Sequence, residues 1–486
     1  MATKSIKANF TLNFINTAVG LLYPVITFPY ISRILQPEGV GLIQFLQSVI
    51  NYFAMFAALG IPLYAVKVIA KYREDEEKRN IATTEILYLH FLLTLIVYTV
   101  LLFAGFAVEQ FSDNILIYLI LSTHLFLIVI GCDWFYQGVE DFKYITIRSL
   151  IVRLLSFIAL FLFVRDRSDI YIYAVLIVIA EAGNCVINFI HLRSFLNVFR
   201  ISFKKLNLKQ HIKPALEIFL LNVIVSIYVN LDSVMLGFIE TNEDVGYYAA
   251  ATRITRALCG FSTALGAVVF PRLTNYYGQK NYVKFKDLAK DSVSFSLLVL
   301  VPVSVILMIT APILVPLFCG EAYTPGILTL QILSPILIML GISSMLGTKV
   351  LYSMDLQRLV IICTGIGAIT NFILNCILIP LLSYNGAAIS SIIAETLVSS
   401  IMLYYAYKRV RISIFDKNMI QIIIGTLLVA ISLLVFLRYI HLPDLIMMLL
   451  SGGIAFVIYI GYLSIVGNYY MTQAYKFIVN IKKSKR

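Results

Sequence analysis

Charged side chains are scarce in this chain of 486 residues: Asp, Glu, Lys and Arg make up 13% of it, against 60% hydrophobic residues. That is roughly half the charge of an ordinary globular sequence, which excludes a soluble protein built of water-exposed domains. Cysteine is sparse as well. Cys132, Cys185, Cys259, Cys319, Cys363 and Cys376 include no C-x-x-C pair and fall mostly inside apolar runs, which excludes a disulfide scaffold and leaves them as small core hydrophobes. Enzyme signatures are missing: there is no His-Glu-x-x-His, Gly-x-Ser-x-Gly, Walker lysine loop or Asp-x-Asp, and His90, His124, His191, His211 and His441 are far apart in sequence. Neither an enzyme nor a cofactor is therefore expected. The N-terminal apolar run after Lys4 and Lys7 is too long for a signal-peptide core and lacks a small-residue cleavage site, so it is expected to remain as the first span.

What the chain does have is apolar length, enough for about fourteen helices of about 20 residues. Windows of about 19 residues place them at 9–34, 39–66, 83–108, 113–138, 143–164, 169–190, 214–238, 245–270, 291–318, 323–348, 358–381, 385–407, 418–440 and 444–466. The net charge of +12 is no nucleic-acid patch, because the cations sit in the connectors. With the N-terminus inside, inner segments hold 31 of the 38 Lys and Arg, while the outer connectors hold Arg33, Arg165, Arg167 and Arg438. The positive-inside bias thus predicts cytoplasmic termini. Asp166 and Asp169 offset the one outer loop that goes against it.

Internal repetition is visible at two places. Val40-Gly41 after Pro37-Glu38 recurs as Val245-Gly246 after Glu243-Asp244, and Val-Ile-Ala-Glu181 recurs as Ile-Ile-Ala-Glu395. Offsets of 205 and 214 residues at opposite ends of a six-helix block mark two homologous lobes. The expected architecture is an all-α integral membrane protein: an N-terminal lobe at 1–190, a basic cytoplasmic connector at 191–213, a C-terminal lobe at 214–407, and two further helices with a basic tail at 408–486. A central cavity between lobes of like topology is expected.

Charges inside spans carry the functional information, since an Arg at a helix centre costs roughly 2.5 to 3.5 kcal/mol on insertion scales. Arg153, Arg253 and Arg256 all fall near mid-membrane, and the last two share a helix face. Guanidinium forks match phosphate oxygens, so arginines at one depth from two lobes are candidates for gripping a polyanionic headgroup. The bland alternative is pairing with the intramembrane acids Glu181, Asp232 and Glu395, which are themselves candidates for a coupling ion or for orienting the arginines. Arg33 and Asp232 lie toward the outer ends of their helices. Pro24, Pro29, Pro302, Pro312, Pro316, Gly365 and Gly367 punctuate spans as rocking transporters do.

Three stretches resemble a known family. Pro29-Tyr-Ile-Ser-Arg33-Ile-Leu-Gln-Pro-Glu-Gly39-Val-Gly41, Asp133-Trp-Phe-Tyr-Gln-Gly-Val-Glu140-Asp-Phe-Lys143-Tyr-Ile-Thr-Ile-Arg148, and Asn230-Leu-Asp232-Ser-Val-Met-Leu-Gly237 with Val245-Gly-Tyr-Tyr-Ala-Ala-Ala-Thr-Arg253-Ile are similar to signatures of the Wzx-type oligosaccharide flippases. Gln36 departs from the family's commoner Gly. The resemblance implies the fold of the multidrug and toxin extruders and lipid II flippases. Its implied substrate is an oligosaccharide repeat unit on undecaprenyl pyrophosphate, moved from the inner to the outer leaflet of a bacterial cell membrane. It further implies that Arg33, Arg153, Arg253 and Arg256 are candidates to engage the pyrophosphate, and that a polysaccharide polymerase and chain-length proteins are partners. The rival readings are a cation-coupled multidrug exporter on the same architecture and a membrane glycosyltransferase or polymerase.

Overall fold

The computed structural model describes residues 6–195, 206–414 and 416–473. Every element among them is helical, as bilayer burial of the apolar runs requires: a helix satisfies its own backbone polar groups without water. The order is α1 (Ile6–Ala58), α2 (Ile61–Lys71), α3 (Glu76–Ala107), α4 (Glu109–Ser112), α5 (Ile115–Gly131), α6 (Asp133–Gly138), α7 (Phe142–Phe163), α8 (Ile170–Phe195) and α9 (Lys209–Ile239). Then come α10 (Asn242–Gly278), α11 (Tyr282–Cys319), α12 (Ile327–Leu333), α13 (Ile336–Met345), a π-helical turn (Leu346–Leu351), α14 (Gln357–Val410), α15 (Lys417–Tyr439) and α16 (Asp444–Ile465). The chain divides into two compact units, Met1–Gly246 and Tyr247–Arg486.

Among the described residues ten helices are long and apolar enough to cross a membrane, or eleven if the pair Glu321–Leu333 and Ile336–Leu351, bent by 48°, is one span. The expected fourteen are not seen as fourteen separate helices. One reason is that consecutive spans run together: α1 covers 9–34 and much of 39–66, and α14 covers 358–381 and 385–407. Each of these helices is broken once, at Gln36 (φ 58°, ψ 176°) and at Ser383 (φ 49°, ψ −133°). The expected span at 214–238 lies in α9, of which only Ile227–Ile239 registers, as a shorter apolar helix.

The break at Gln36 has a local cause. Pro37 has no N–H to give the Arg33 carbonyl, and the Gln36 side chain takes over that role, its Nε2 donating to Arg33 O at 2.6 Å. The positive φ explains why a glycine suits this position: without a Cβ it adopts that conformation at no steric cost.

In the first unit α5 packs along α8, and α1 packs against α3, α7 and α9. Phe45 of α1 meets Phe238 of α9 edge-on at 5.2 Å between ring centres. The two Val-Gly repeats come together here. A Cβ on Gly41 would collide with the Asn242 carbonyl oxygen, and one on Gly246 with the Pro37 carbonyl oxygen. Backbone therefore lies directly on backbone where the repeats touch.

In the second unit α11 is the hub for α13, α15 and α16. The helices expected as a C-terminal appendix share its core, with Val429, Leu433, Ala455 and Leu463 buried and the Tyr459 hydroxyl donating to Leu298 O at 2.8 Å. Large apolar side chains such as Phe103 (75% exposed) and Leu449 (68%) stay uncovered by protein, as lipid-facing residues must.

Charge at the helix ends is used locally. Asp75 caps α3, accepting from Lys78 N at 3.1 Å and pairing with Lys78 Nζ at 2.8 Å; these hydrogen bonds hold its carboxyl below the usual range. Asp169 accepts the backbone N–H groups of Arg165 and Asp166, so it serves the turn itself.

Overpacking a tight backbone approach costs about 1–3 kcal/mol. Gly41→Ala and Gly246→Ala are thus each expected to lower the unfolding temperature of the detergent-solubilised protein, whereas Gly452→Ala, with nothing within 4 Å of an added Cβ, leaves it unchanged.

Candidate functional site

Arg153 is the most informative of the expected residues. It sits in the second half of α7, half-buried, with its guanidinium laid against α1: Nη1 donates to the Asn16 carbonyl at 3.0 Å and to Asn16 Oδ1 at 3.2 Å. One turn along α1, Gly20 makes the room, since a Cβ there would stand 3.3 Å from both Nη1 and Nη2. Among the described residues no carboxylate is within ion-pair distance of Arg153. Tyr23 lies in the field of both Arg153 and Glu181.

Glu181, on α8, has a different partner. Its Oε1 accepts from Gln47 Nε2 of α1 at 2.8 Å, its Oε2 is 4.0 Å from His124 Nδ1 of α5, and its side chain is 44% exposed. Both halves of α1, on either side of the Gln36 break, therefore hold polar groups of this first-unit cluster. Asp232 is half-buried on α9 and lies in the field of Tyr52, whose hydroxyl donates to Ile227 O at 2.8 Å. Arg33 is exposed, with Nη1 donating to Pro29 O at 2.8 Å, one turn back along α1.

The second unit carries the remaining candidates on α10 and α14. Arg253 is half-buried and Arg256 exposed, three residues apart on α10. Glu395 is 3% exposed and accepts from Ser343 Oγ of α13 at 2.5 Å. Cys259, one turn beyond Arg256, lies in the field of both Arg256 and Glu395. The acids of the two matching Ile-Ala-Glu stretches differ in surroundings: Glu395 is 3% exposed, whereas the Glu181 side chain is 44% exposed.

Some polar groups were not legible as site residues. Gln47, His124 and Asn16 stand in the sequence only as intramembrane polar residues, and their partners are more than fifty positions away. Glu85 and His211 form a buried pair at 2.8 Å, with the Tyr64 hydroxyl 2.7 Å from His211 Nδ1 and Asn207 N donating to Glu85 Oε1. This network fixes the end of the basic connector to α2 and α3. The Asp133-Trp-Phe-Tyr stretch proves structural: Asp133 pairs with Arg148 at 2.9 Å and accepts from Asn188 Nδ2 at 2.7 Å.

A cavity of about 480 Å³ lies elsewhere in the first unit, lined among others by Glu38, Gln110, Asp113, Glu240 and Glu243. Its carboxylates repel phosphate, so it is no candidate for an anionic headgroup.

Charged side chains held inside the spans of a multi-pass membrane protein mark functional positions, where a partner, water or a ligand must answer them. Solved structures bear out the fold. A lipid II flippase MurJ in an inward closed conformation superposes with a TM-score of 0.73 over 94% of this chain and 98% of its own, at 16% identity. A multidrug resistance MATE family transporter in an inward-facing conformation gives 0.63 over 83% and 98%, at 17% identity. In sequence, the family described as "Polysaccharide biosynthesis protein" matches residues 6–277, and the one described as "Lipid II flippase MurJ" matches 149–461. The "Putative O-antigen transporter" of Escherichia coli strain K12 is 27% identical over 390 residues, covering 79% of this chain and 92% of that protein. Its namesake from Shigella dysenteriae is 26% identical over 408 residues, covering 82% and 99%. The chain belongs to the polysaccharide biosynthesis protein family.

The packing of Arg153 generates a prediction. Gly20→Val removes the space for the guanidinium, so it should reproduce the transport phenotype of Arg153→Ala while Gly452→Ala does not, as read by surface glycan per unit of inserted protein.

Proposed function

We propose that the protein is a flippase for oligosaccharide repeat units linked to undecaprenyl pyrophosphate, moving them from the inner to the outer leaflet of a bacterial cell membrane by alternating access. The products would feed O-antigen, capsule or exopolysaccharide assembly. Family membership and the O-antigen transporter relatives support the substrate class. The observation that carries the reading is Arg153: a guanidinium inside a span, anchored by an amide and a carbonyl instead of a carboxylate, keeps its full positive charge. A purely structural arginine at this cost would be expected to have an acid beside it.

In this reading the lobes are 1–190 and 214–407, joined by the connector at 191–213, and both termini are cytoplasmic. Arg153, Arg253 and Arg256 hold the diphosphate, and Arg33 engages it toward the outer end. The enclosed Glu395 and the half-buried Asp232 orient the arginines, while Glu181, exposed beside His124, is the carboxylate placed to exchange a coupling proton or cation. A polysaccharide polymerase and chain-length proteins would take the product onward. The MATE transporters share the fold alone, and a multidrug exporter gains no support from an arginine without an acid.

The test is genetic. In cells lacking their own transporter, Arg253→Ala with Arg256→Ala should abolish surface polysaccharide although the protein inserts normally. Arg153→Gln should reduce it by roughly tenfold or more, the scale of a lost charge-assisted hydrogen bond, and Arg153→Lys should restore only part. Full glycan output from Arg153→Gln at normal membrane levels would remove Arg153 from the site.

A further inference from the structure

Lys349, at the inner end of its helix, is a further cation that the flippase reading does not use. It lies in the π-helical turn Leu346–Leu351, where the Tyr352 N–H reaches back five residues to Gly347 O. A π turn adds a residue to the helix and rotates the residues beyond it, and such turns collect at functional positions. Here the added residue sets Gly347 against α14, where a Cβ would stand 2.9 Å from Met402 Sδ, and sends Lys349 the other way, to α10.

On α10 the lysine has a prepared seat. Its Cε lies where a side chain on Gly266 would start, and its Nζ is 6.0 Å from the centre of the Phe270 ring. Among the described residues Lys349 has no carboxylate partner, and it is half-buried. An ammonium so placed has three donors to offer and faces an aromatic ring.

The seat belongs to a stripe. Arg256, Cys259, Thr263, Gly266 and Phe270 recur at intervals of three, four, three and four residues, so they lie along one face of α10. Gly266 is ten residues beyond Arg256, about 15 Å along the helix axis at 1.5 Å per residue. A diphosphate is too small to occupy both cationic positions at once. By the charge pattern of the connectors, the Lys349 end of the stripe is the inner one.

We infer that Lys349, held by the π turn against Gly266 and Phe270, is the loading station for the diphosphate of the lipid carrier, from which it advances along α10 to Arg256. The station rests on the flippase reading. What it recognises chemically is a phosphate oxyanion, supplied either by the polyprenyl diphosphate or by an ordinary anionic phospholipid.

The experiment measures equilibrium binding of undecaprenyl pyrophosphate to the purified full chain in nanodiscs, with phosphatidylglycerol as competitor, alongside flipping rates in proteoliposomes. The wild type should bind the diphosphate lipid in preference to phosphatidylglycerol. Lys349→Gln should weaken that binding by about tenfold and raise the KM for flipping with kcat within about twofold, Lys349→Arg should restore most of it, and Gly266→Leu should mimic the Gln variant. Binding by Lys349→Gln equal to that of a wild type that binds well overturns the station and leaves the flippase reading standing. Equal competition by phosphatidylglycerol reduces Lys349 to a general lipid contact and also overturns it. A wild type that neither binds nor flips the diphosphate lipid overturns the flippase reading, and the station with it.

Discussion

A bilayer interior does not solvate charge, and that single constraint organises this protein. Each ionisable side chain within a span must be answered by a partner, by water or by a ligand. Several charges are answered with protein. Arg148 has Asp133, Glu85 has His211 and Gln210, and Lys290 has Asp416. Arg153 and Lys349 stand apart: one is tied to an amide and a carbonyl, the other rests on a ring. Among the described residues neither is paired with a carboxylate, and a cation so left, within a span for Arg153 and at an inner helix end for Lys349, suits an anionic cargo.

The supporting scaffold is built from small departures from the regular helix. Gln36 and Ser383 break two long helices at positive φ, Pro335 stands where two short ones bend, and the π turn redirects Lys349. At several of these places a specific group takes over a lost backbone interaction or fills the changed space. The Gln36 amide replaces the donor missing at Pro37, and Ser304 Oγ donates to Ser334 O beside Pro335. Gly41 and Gly246 let the two copies of the repeated Val-Gly segment lie backbone to backbone. These devices place side chains without leaving polar backbone groups exposed to lipid.

Much of this was legible in the sequence because membrane insertion leaves a coarse signature. Apolar length points to the helical class, and the distribution of Lys and Arg to an expected orientation. Depth along the helix singles out Arg153 without knowledge of its partner. What escapes depends on contacts between distant positions: Asn16 to Arg153 spans 137 residues and Gln47 to Glu181 spans 134, and no local pattern reports either. Lys349 falls with the inner connector because the apolar window ends at 348, and a π turn has no sequence signal that would move it into the helix. Two consecutive spans joined without a loop, as in α1 and α14, also defeat a reading that takes each apolar run as a separate helix.

The central claim is that the unneutralised Arg153 serves a diphosphate cargo. Its most direct test is the rate at which a fluorescent oligosaccharide on undecaprenyl pyrophosphate becomes accessible to an outside quencher in proteoliposomes. The account predicts that wild-type protein exchanges the lipid well above protein-free vesicles and that Arg153→Gln, equally incorporated, does so roughly tenfold or more slowly. Equal rates for the two proteins would contradict it.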